Sequence, residues 1–304
     1  MTPIETKKDF IAIISTTRAN PNGDPTSGGR PRVDWMGRGV ITDVCLKRLI
    51  RNRLQDMGYE ILYQSDGRET DNCRSIADRF KTLTTEPGET TYEALCRRFA
   101  DVRAFGAVVA YSNKAKASDR KVKAERKIED DAAIKVDENN EASVSLKVRG
   151  CVSIQDAVSI CPIDIEEVQI SKSLNGSPAK EEGRMTSDRL GWRYRVPHAL
   201  YVLRGSINPF WAAKTGFSED DAEALKRCIA TLFENSESTA RPIGSMKVEN
   251  FYWVEHNSKI GISSAKVFDA IKVGALTDEP TSADDYIITV DEEALAGATV
   301  ERVM

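Results

Sequence analysis

The stretch "DFIAIISTTRANPNGDPTSGGRPRVDWMGRGVI", residues 9–41, joins an apolar segment to a long charged loop. Residues 9–19 are β-branched and apolar and end at the turn formers Asn20-Pro21-Asn22-Gly23, so they predict a strand. Residues 20–41 carry five glycines and three prolines among charged side chains. Loops of this kind lie on the surface and often carry binding groups. The stretch therefore predicts a first strand that leads directly into a functional loop.

Length and composition describe a soluble globular chain. The sequence has 304 residues, of which 40% are hydrophobic and 30% charged, enough for one large domain or two small ones. No apolar run approaches the roughly 18 residues that a membrane span needs. The run "FIAIIS" after Lys7 and Lys8 is too short for a signal peptide. The six cysteines form no CxxC pair, which argues against a zinc site and a disulfide framework. We expect a cytoplasmic protein with reduced thiols and no membrane contact.

The net charge of −4 hides an asymmetry along the chain. Residues 277–304 hold eight acidic residues and one arginine, and they form an acidic C-terminal segment. Residues 18–53 hold eight Lys or Arg against three Asp. A basic first section with an acidic tail is compatible with a polyanionic partner.

The segment 42–57 predicts a helix with Thr42 as its N-cap and Gly58 as its stop. Projection at about 100° per residue places an apolar face on one side. The basic residues on the other side form a stripe of Lys47, Arg48 and Arg51, which we expect to face solvent. Arg53 projects into the apolar face without an evident reason.

The remaining pattern alternates strands and helices. Helices are predicted over 74–83, 90–103 and 218–235, and strands over 142–160, 162–174, 194–207 and 247–256. The order favours a mixed α+β class with a mostly antiparallel sheet. A β-α-β-β-α-β ferredoxin-like core enlarged by two insertions fits it. One insertion includes a basic block, 114–127, followed by an acidic one, 129–141.

The basic residues around the first loop predict a site for phosphates. Arginines bind phosphate bidentately, and glycines let backbone amides approach it closely. The predicted contacts are Arg18, Asn20, Asn22, Gly23, Arg30, Arg32 and Arg38, together with the stripe of the first helix. The alternative is that the stripe is merely a solvated helix face.

A second basic element spans residues 172–195. Its predicted contacts are Lys172, Arg184, Met185, Arg189 and Arg193, and it also holds Leu190 and Trp192. An apolar side chain on a basic arm can wedge between stacked bases. The alternative is an ordinary surface loop whose Trp192 packs in the core.

Catalytic and metal chemistry find little support. Asp24, Asp34 and Asp43 could hold Mg²⁺, although Asp24 and Asp43 also suit a turn and a cap. The histidines, His198 and His256, lie in strand-like segments and are expected to be packed or hydrogen-bonded. We predict no catalytic residue, no metal and no cofactor.

Several of these segments resemble one family. "NPNGDP" (20–25), "GRPRVD" (29–34) and "GVITDVCLKRLIRN" (39–52) resemble the Cas7 family in its type I-C form, the repeated backbone subunit of CRISPR Cascade complexes. "DVRAFGAVV" (101–109) and "RVPHALYVLRG" (195–205) are similar to further family segments. The resemblance runs from about residue 9 to residue 256.

The resemblance implies a modified RRM-like palm in one domain, 1–304, with a finger-like insertion near 59–141 and a thumb-like one at 174–193. It implies that copies polymerise in a helical filament along the CRISPR guide RNA and display it for pairing with target DNA in antiviral defence. Implied partners are the large, small and guide-processing Cascade subunits and a recruited helicase-nuclease. Two alternatives stay open: a metal-dependent ribonuclease that uses a loop aspartate, and a structural subunit without direct RNA contact.

Overall fold

The computed structural model describes residues 2–113, 132–136, 142–171 and 190–304. The predicted basic block 114–127 and the predicted contacts Lys172, Arg184, Met185 and Arg189 lie outside these ranges. Among the described residues, no helix combines the length and the apolar character needed to cross a membrane.

Strands supply most of the regular structure. They are Lys8–Ala19 (β1), Gly23–Asp24 (β2), Arg30–Pro31 (β3), Arg38–Ile41 (β4), Gly106–Asn113 (β5), Ala132–Val136 (β6), Ala142–Arg149 (β7), Val152–Ile154 (β8), Ala157–Pro162 (β9), Glu166–Ser171 (β10), Leu190–Ile207 (β11), Met246–His256 (β12), Ile271–Ala275 (β13), Tyr286–Val290 (β14) and Ala298–Arg302 (β15). The helices are Asp43–Asp56 (α1), Ile76–Lys81 (α2), Thr91–Arg98 (α3), Ala100–Phe105 (α4), Pro209–Thr215 (α5), Glu219–Ala230 (α6) and Ser264–Ala270 (α7).

The main sheet is antiparallel and has β1 near its centre. Its order is β15-β12-β1-β11-β9-β4, and β8 and β10 also pair with β11. Lys8 lies opposite Ile207 on one side of β1 and Glu255 on the other. A buried apolar strand such as β1 belongs in the middle of a sheet, where both neighbours pair its backbone. The predicted mixed α+β class with a large antiparallel sheet is confirmed.

Both faces of this sheet are covered. Phe10, Ala12 and Ile14 point to a core that includes apolar residues of α1 and α6. Ile11 and Ile13 point to a second core, which α7 and the β13–β14 hairpin complete. The acidic C-terminal segment therefore contains ordered structure that the sequence did not predict. Its last strand, β15, extends the main sheet beside β12.

A separate layer precedes β8 in the chain. In it, β7 pairs with β5 and β6, and Leu62, Leu95, Phe99 and Val102 form a core with β7 side chains. The predicted long strand 142–160 was wrong, because the chain leaves this layer at Gly150. A Cβ on Gly150 would lie 2.3 Å from the Ala104 carbonyl oxygen, so only glycine permits the crossing.

Candidate nucleic-acid interface

The loop between β1 and α1 is held in shape by its own polar side chains. The Asn22 Oδ1 atom accepts hydrogen bonds from the backbone N–H (3.0 Å) and the hydroxyl (2.9 Å) of Thr42, the N-cap of α1. Asn20 is buried and donates to the Gly29 carbonyl over 2.7 Å. A Cβ at Gly23 would approach the Gly29 oxygen to 2.9 Å. These three residues stabilise the loop, so direct contact with RNA stays a prediction for each of them.

The three arginines inside the loop are all paired with carboxylates. Arg32 lies 3.4 Å from Asp24, and Arg38 lies 2.9 Å from Asp34. Arg30 pairs with Glu167 of β10. The predicted cationic loop is therefore largely neutralised within the chain. Each guanidinium is held in a fixed place and keeps part of its surface exposed to solvent.

Arg30 also fastens the loop to a two-stranded ribbon. Its guanidinium lies over the Tyr194 ring at 4.8 Å from the ring centroid. Tyr194 belongs to the part of β11 that pairs only with β10, from Glu166–Arg195 to Ser171–Leu190. At the root of this ribbon, Arg195 pairs with Glu166 over 2.6 Å. The loop and the ribbon thus form one continuous surface at one end of the sheet.

Two arginines at this end make no hydrogen bond or ion pair with any residue that the structure describes. Arg18 is exposed at the end of β1 and has a φ of 51°, in the left-handed region that disfavours side chains. Arg193 is exposed on the ribbon, opposite Val168. The pairing of Ala19 with Val196 brings the two strand segments to the same end of the sheet. Neither guanidinium has a carboxylate partner among the described residues, so both can bind an anionic ligand.

The basic stripe of α1 differs from the prediction. Lys47 pairs with Asp43 over 2.9 Å on the helix surface. Arg48 donates to the Tyr63 carbonyl over 2.6 Å. Arg51 donates to the buried carboxylate of Asp101 over 3.0 Å, and only 14% of its side chain is exposed. The expectation of a solvent-facing stripe was wrong for Arg48 and Arg51, because α1 packs against the layer that contains α4. RNA contact by these residues stays a prediction.

Arg53, which the helical projection placed in the apolar face, donates to the Thr231 hydroxyl over 2.8 Å and pairs with Glu234. Both partners follow α6, which packs beside α1. The side chain thus leaves the apolar face at its edge.

The three aspartates of the metal hypothesis each bind other groups of the chain. Asp43 pairs with Lys47. Asp24 caps a 3₁₀ turn, and hydrogen bonds from the Thr26 hydroxyl and N–H lower the pKa of its carboxyl. Asp34 is partly desolvated, which raises its pKa, but the N–H groups of Arg38 and Met36 outweigh this and lower it. Within the described ranges, no three His, Cys, Asp or Glu side chains gather as a metal site would require.

The two histidines are strand residues, as expected. His256 Nε2 lies 2.8 Å from the buried Asp9 carboxylate, and its Nδ1 accepts the Ile262 N–H over 3.1 Å. Because Nδ1 accepts, the proton of the neutral ring is on Nε2, which donates to Asp9. His198 packs beside Tyr286, with ring centroids 6.0 Å apart. Burial lowers the pKa of His198.

Trp35 was not among the contacts predicted from the sequence. Its side chain is 91% exposed at the tip of a turn whose base is the Val33–Gly39 bridge. Val33 and Met36 beside it are half-exposed. The signal was a large aromatic residue between Asp34 and Gly37 in a loop already predicted to be functional. Trp192, whose core packing was the alternative to a basic arm, is also exposed, on the ribbon.

A match to a known protein family covers most of the chain. The family model described as CRISPR-associated protein Cas7 matches residues 6–291. A relative from Haloferax volcanii with the same description is 25% identical over 244 residues, which are 78% of this chain and 67% of the relative. A CRISPR RNA-guided surveillance complex contains a chain that is 12% identical, with a TM-score of 0.41, over 82% of this chain and 69% of that one. The pre-nicking form of such a complex gives the same identity and TM-score over 82% of this chain and 78% of that chain.

Proposed function

The chain belongs to the Cas7 family, whose model spans residues 6–291, and we propose that it is an RNA-binding backbone subunit of a type I CRISPR surveillance complex. The observation that carries this proposal is the surface formed by the β1–α1 loop and the β10–β11 ribbon, with its free arginines. Copies of the chain assemble along the guide RNA and leave it displayed for pairing with target DNA. The loop motifs support the type I-C form.

The architecture fits an RRM-like palm. Strand β1, helix α1, strands β9 and β11, helix α6 and strand β12 follow in chain order, and the four strands lie side by side as β12-β1-β11-β9. In this assignment, the layer of α2–α4 and β5–β7 is the finger. The segment that joins β10 to β11 is the thumb, and the ribbon is its root. The other Cascade subunits and the helicase-nuclease dock on the assembled filament.

The binding mode follows from which cations are free. Arg18 and Arg193 contact phosphates directly, since no carboxylate of the described chain competes for them. Arg30, Arg32 and Arg38 are paired with carboxylates, so their charges attract a distant phosphate less. They contribute only when the RNA backbone is already in contact with the same surface. Phosphate contacts position a strand without reading its sequence. Binding is therefore independent of sequence and salt-dependent.

The test is RNA binding by the variant Arg18→Ala/Arg193→Ala. Affinity of the unmodified chain for a single-stranded RNA should fall steeply with salt, because about 0.7 counterions are released per phosphate contact. The double variant should bind more weakly and show a shallower salt slope. The control is Lys259→Ala, an exposed lysine after β12, at the opposite end of β1 from the loop. Unchanged affinity and slope in the double variant would assign the phosphate contacts to other residues, and no binding by the unmodified chain would support the structural subunit without RNA contact.

A further inference from the structure

The turn that carries Trp35 is unusually well fixed for an exposed element. The Asp34 Oδ1 atom accepts the N–H groups of Met36 (2.8 Å) and Arg38 (2.9 Å). The Arg38 Nε atom donates to Asp34 Oδ2 over 2.9 Å. Backbone bonds join Asp34 N–H to the Arg38 carbonyl and Gly37 N–H to the Asp34 carbonyl. The turn therefore holds its tip in one position before any ligand arrives.

The turn is also attached to the surface described above. The Ile163 N–H donates to the Gly37 carbonyl over 3.0 Å, and Arg38 lies opposite Pro162 in the sheet. The ribbon that leads to the thumb begins at Glu166, three residues after Ile163. Trp35 thus stands beside the ribbon root, in the same loop as three fixed guanidinium groups.

The exposed Trp35 ring lies in one turn with the half-exposed Val33 and Met36, and contiguous exposed apolar groups of this kind mark binding sites. A stable protein interface buries about 800 Å² on each partner, which is several times the 150–250 Å² that one aromatic side chain offers. A single nucleobase, by contrast, needs only one ring face. Aromatic rings next to arginines are the usual means by which proteins hold single-stranded nucleic acid.

We propose that Trp35 is a nucleobase-stacking residue that holds one unpaired base of the bound RNA strand. This inference rests on the proposed function and adds a base contact to a surface otherwise built for phosphates. Because every base has a π face, the contact leaves binding independent of sequence. The fixed turn removes the cost of ordering the backbone that carries the ring, which leaves more of the stacking free energy available for binding.

The experiment compares Trp35→Ala with Met36→Ala, a half-exposed apolar residue of the same turn. The probes are an oligoadenylate and an abasic strand with the same number of phosphates. The unmodified chain should bind the oligoadenylate more tightly than the abasic strand. Trp35→Ala should weaken oligoadenylate binding by about 5- to 150-fold and should leave binding to the abasic strand and its salt slope unchanged. Trp35→Phe should keep most of the preference, and Met36→Ala should keep all of it.

Each other outcome overturns the inference. Equal loss on both strands would mean that Trp35 supports the fold or the phosphate contacts. If Trp35→Ala binds the oligoadenylate normally but forms smaller protein–RNA particles, the ring is a protein-docking residue. Salt-dependent binding with no preference for bases would reject stacking and leave the proposed function intact. No binding of either strand by the unmodified chain would reject both.

Discussion

Arg51 of α1 and Asp101 of α4 form a clasp between the helical layer of the main sheet and the adjoining layer. The Arg51 Nε atom lies 3.0 Å from Asp101 Oδ2, and the guanidinium lies over the rings of Tyr63 and Phe105. The Asp101 carboxylate also accepts the N–H groups of Leu62 and Tyr63. A residue of the predicted RNA-binding stripe is therefore part of the packing between two layers.

This clasp makes Arg51→Ala a stability variant. Removal of the guanidinium leaves the buried Asp101 carboxylate without its cation, so the free energy of unfolding should fall by about 3 kcal/mol. Lys47→Ala is the matched control, because its pair with Asp43 is a partly exposed i,i+4 contact worth less than about 0.5 kcal/mol. Urea denaturation measures both. Equal, small losses would show that the clasp contributes little to the stability of the fold.

The backbone of Arg18 leads to the opposite expectation. Its φ of 51° costs a side-chain-bearing residue about 1–2 kcal/mol, which glycine avoids. Arg18→Gly should therefore leave the free energy of unfolding unchanged or raise it by up to about 1 kcal/mol, after the larger unfolded-state entropy of glycine is included. Arg18→Ala should not show this gain. Both variants should bind RNA more weakly than the unmodified chain. A gain in stability with normal RNA binding would mean that the arginine has no role in the site.

The local sequence patterns correctly predicted the elements that depend on interactions between neighbouring residues. Strand β1 and helix α1 with its Thr42 cap lie where apolar periodicity and capping placed them. The pairing of Arg51 was hidden, because Asp101 is 50 residues away in the sequence. The same holds for Arg30, whose partner Glu167 is 137 residues away. A helical projection shows which side chains share a face and says nothing about what covers that face.

The C-terminal elements escaped prediction for a different reason. Strand β15 is five residues long, with a sequence, "ATVER", that has weak alternation. It is a strand because β12 offers it a free edge, and Val300 lies opposite Val254 there. The acidic charge of this segment is typical of a solvated surface, although Leu295 is buried in the second core.

His198 should make the fold sensitive to mild acid. Burial lowers its pKa below the ordinary value of 6.5, and the Asp285 and Glu249 carboxylates oppose this without outweighing it. The unfolded chain then binds the proton more readily than the folded chain. The contribution of the neutral His198 to the free energy of unfolding should be fully present above about pH 6.5. It should decrease as the pH drops through that value and level off below the folded-state pKa.

The variant His198→Phe isolates this contribution. It keeps an aromatic ring beside Tyr286 and removes the titrating group. The difference in melting temperature between the unmodified chain and His198→Phe should change between pH 7.5 and 5.5, with the unmodified chain losing more. A constant difference across that range would assign the acid sensitivity to other groups.

The last prediction separates an RNA-binding subunit from a ribonuclease. Metal-dependent cleavage needs carboxylate oxygens that are free to hold Mg²⁺ and polarise the phosphate. Here the Asp24 oxygens accept hydrogen bonds from Thr26 and Ser27 and face Arg32. The Asp34 oxygens accept three from Met36 and Arg38, and Asp43 pairs with Lys47. A cation would have to displace these donors from carboxyls that hold the loop together.

We therefore expect labelled RNA to stay intact with the chain in Mg²⁺ or Mn²⁺. We also expect Asp24→Ala to loosen the loop, with faster proteolysis between residues 25 and 29 as the readout. Regularly spaced RNA products that vanish in Asp24→Ala would instead establish the ribonuclease, with Asp24 as its metal-binding residue.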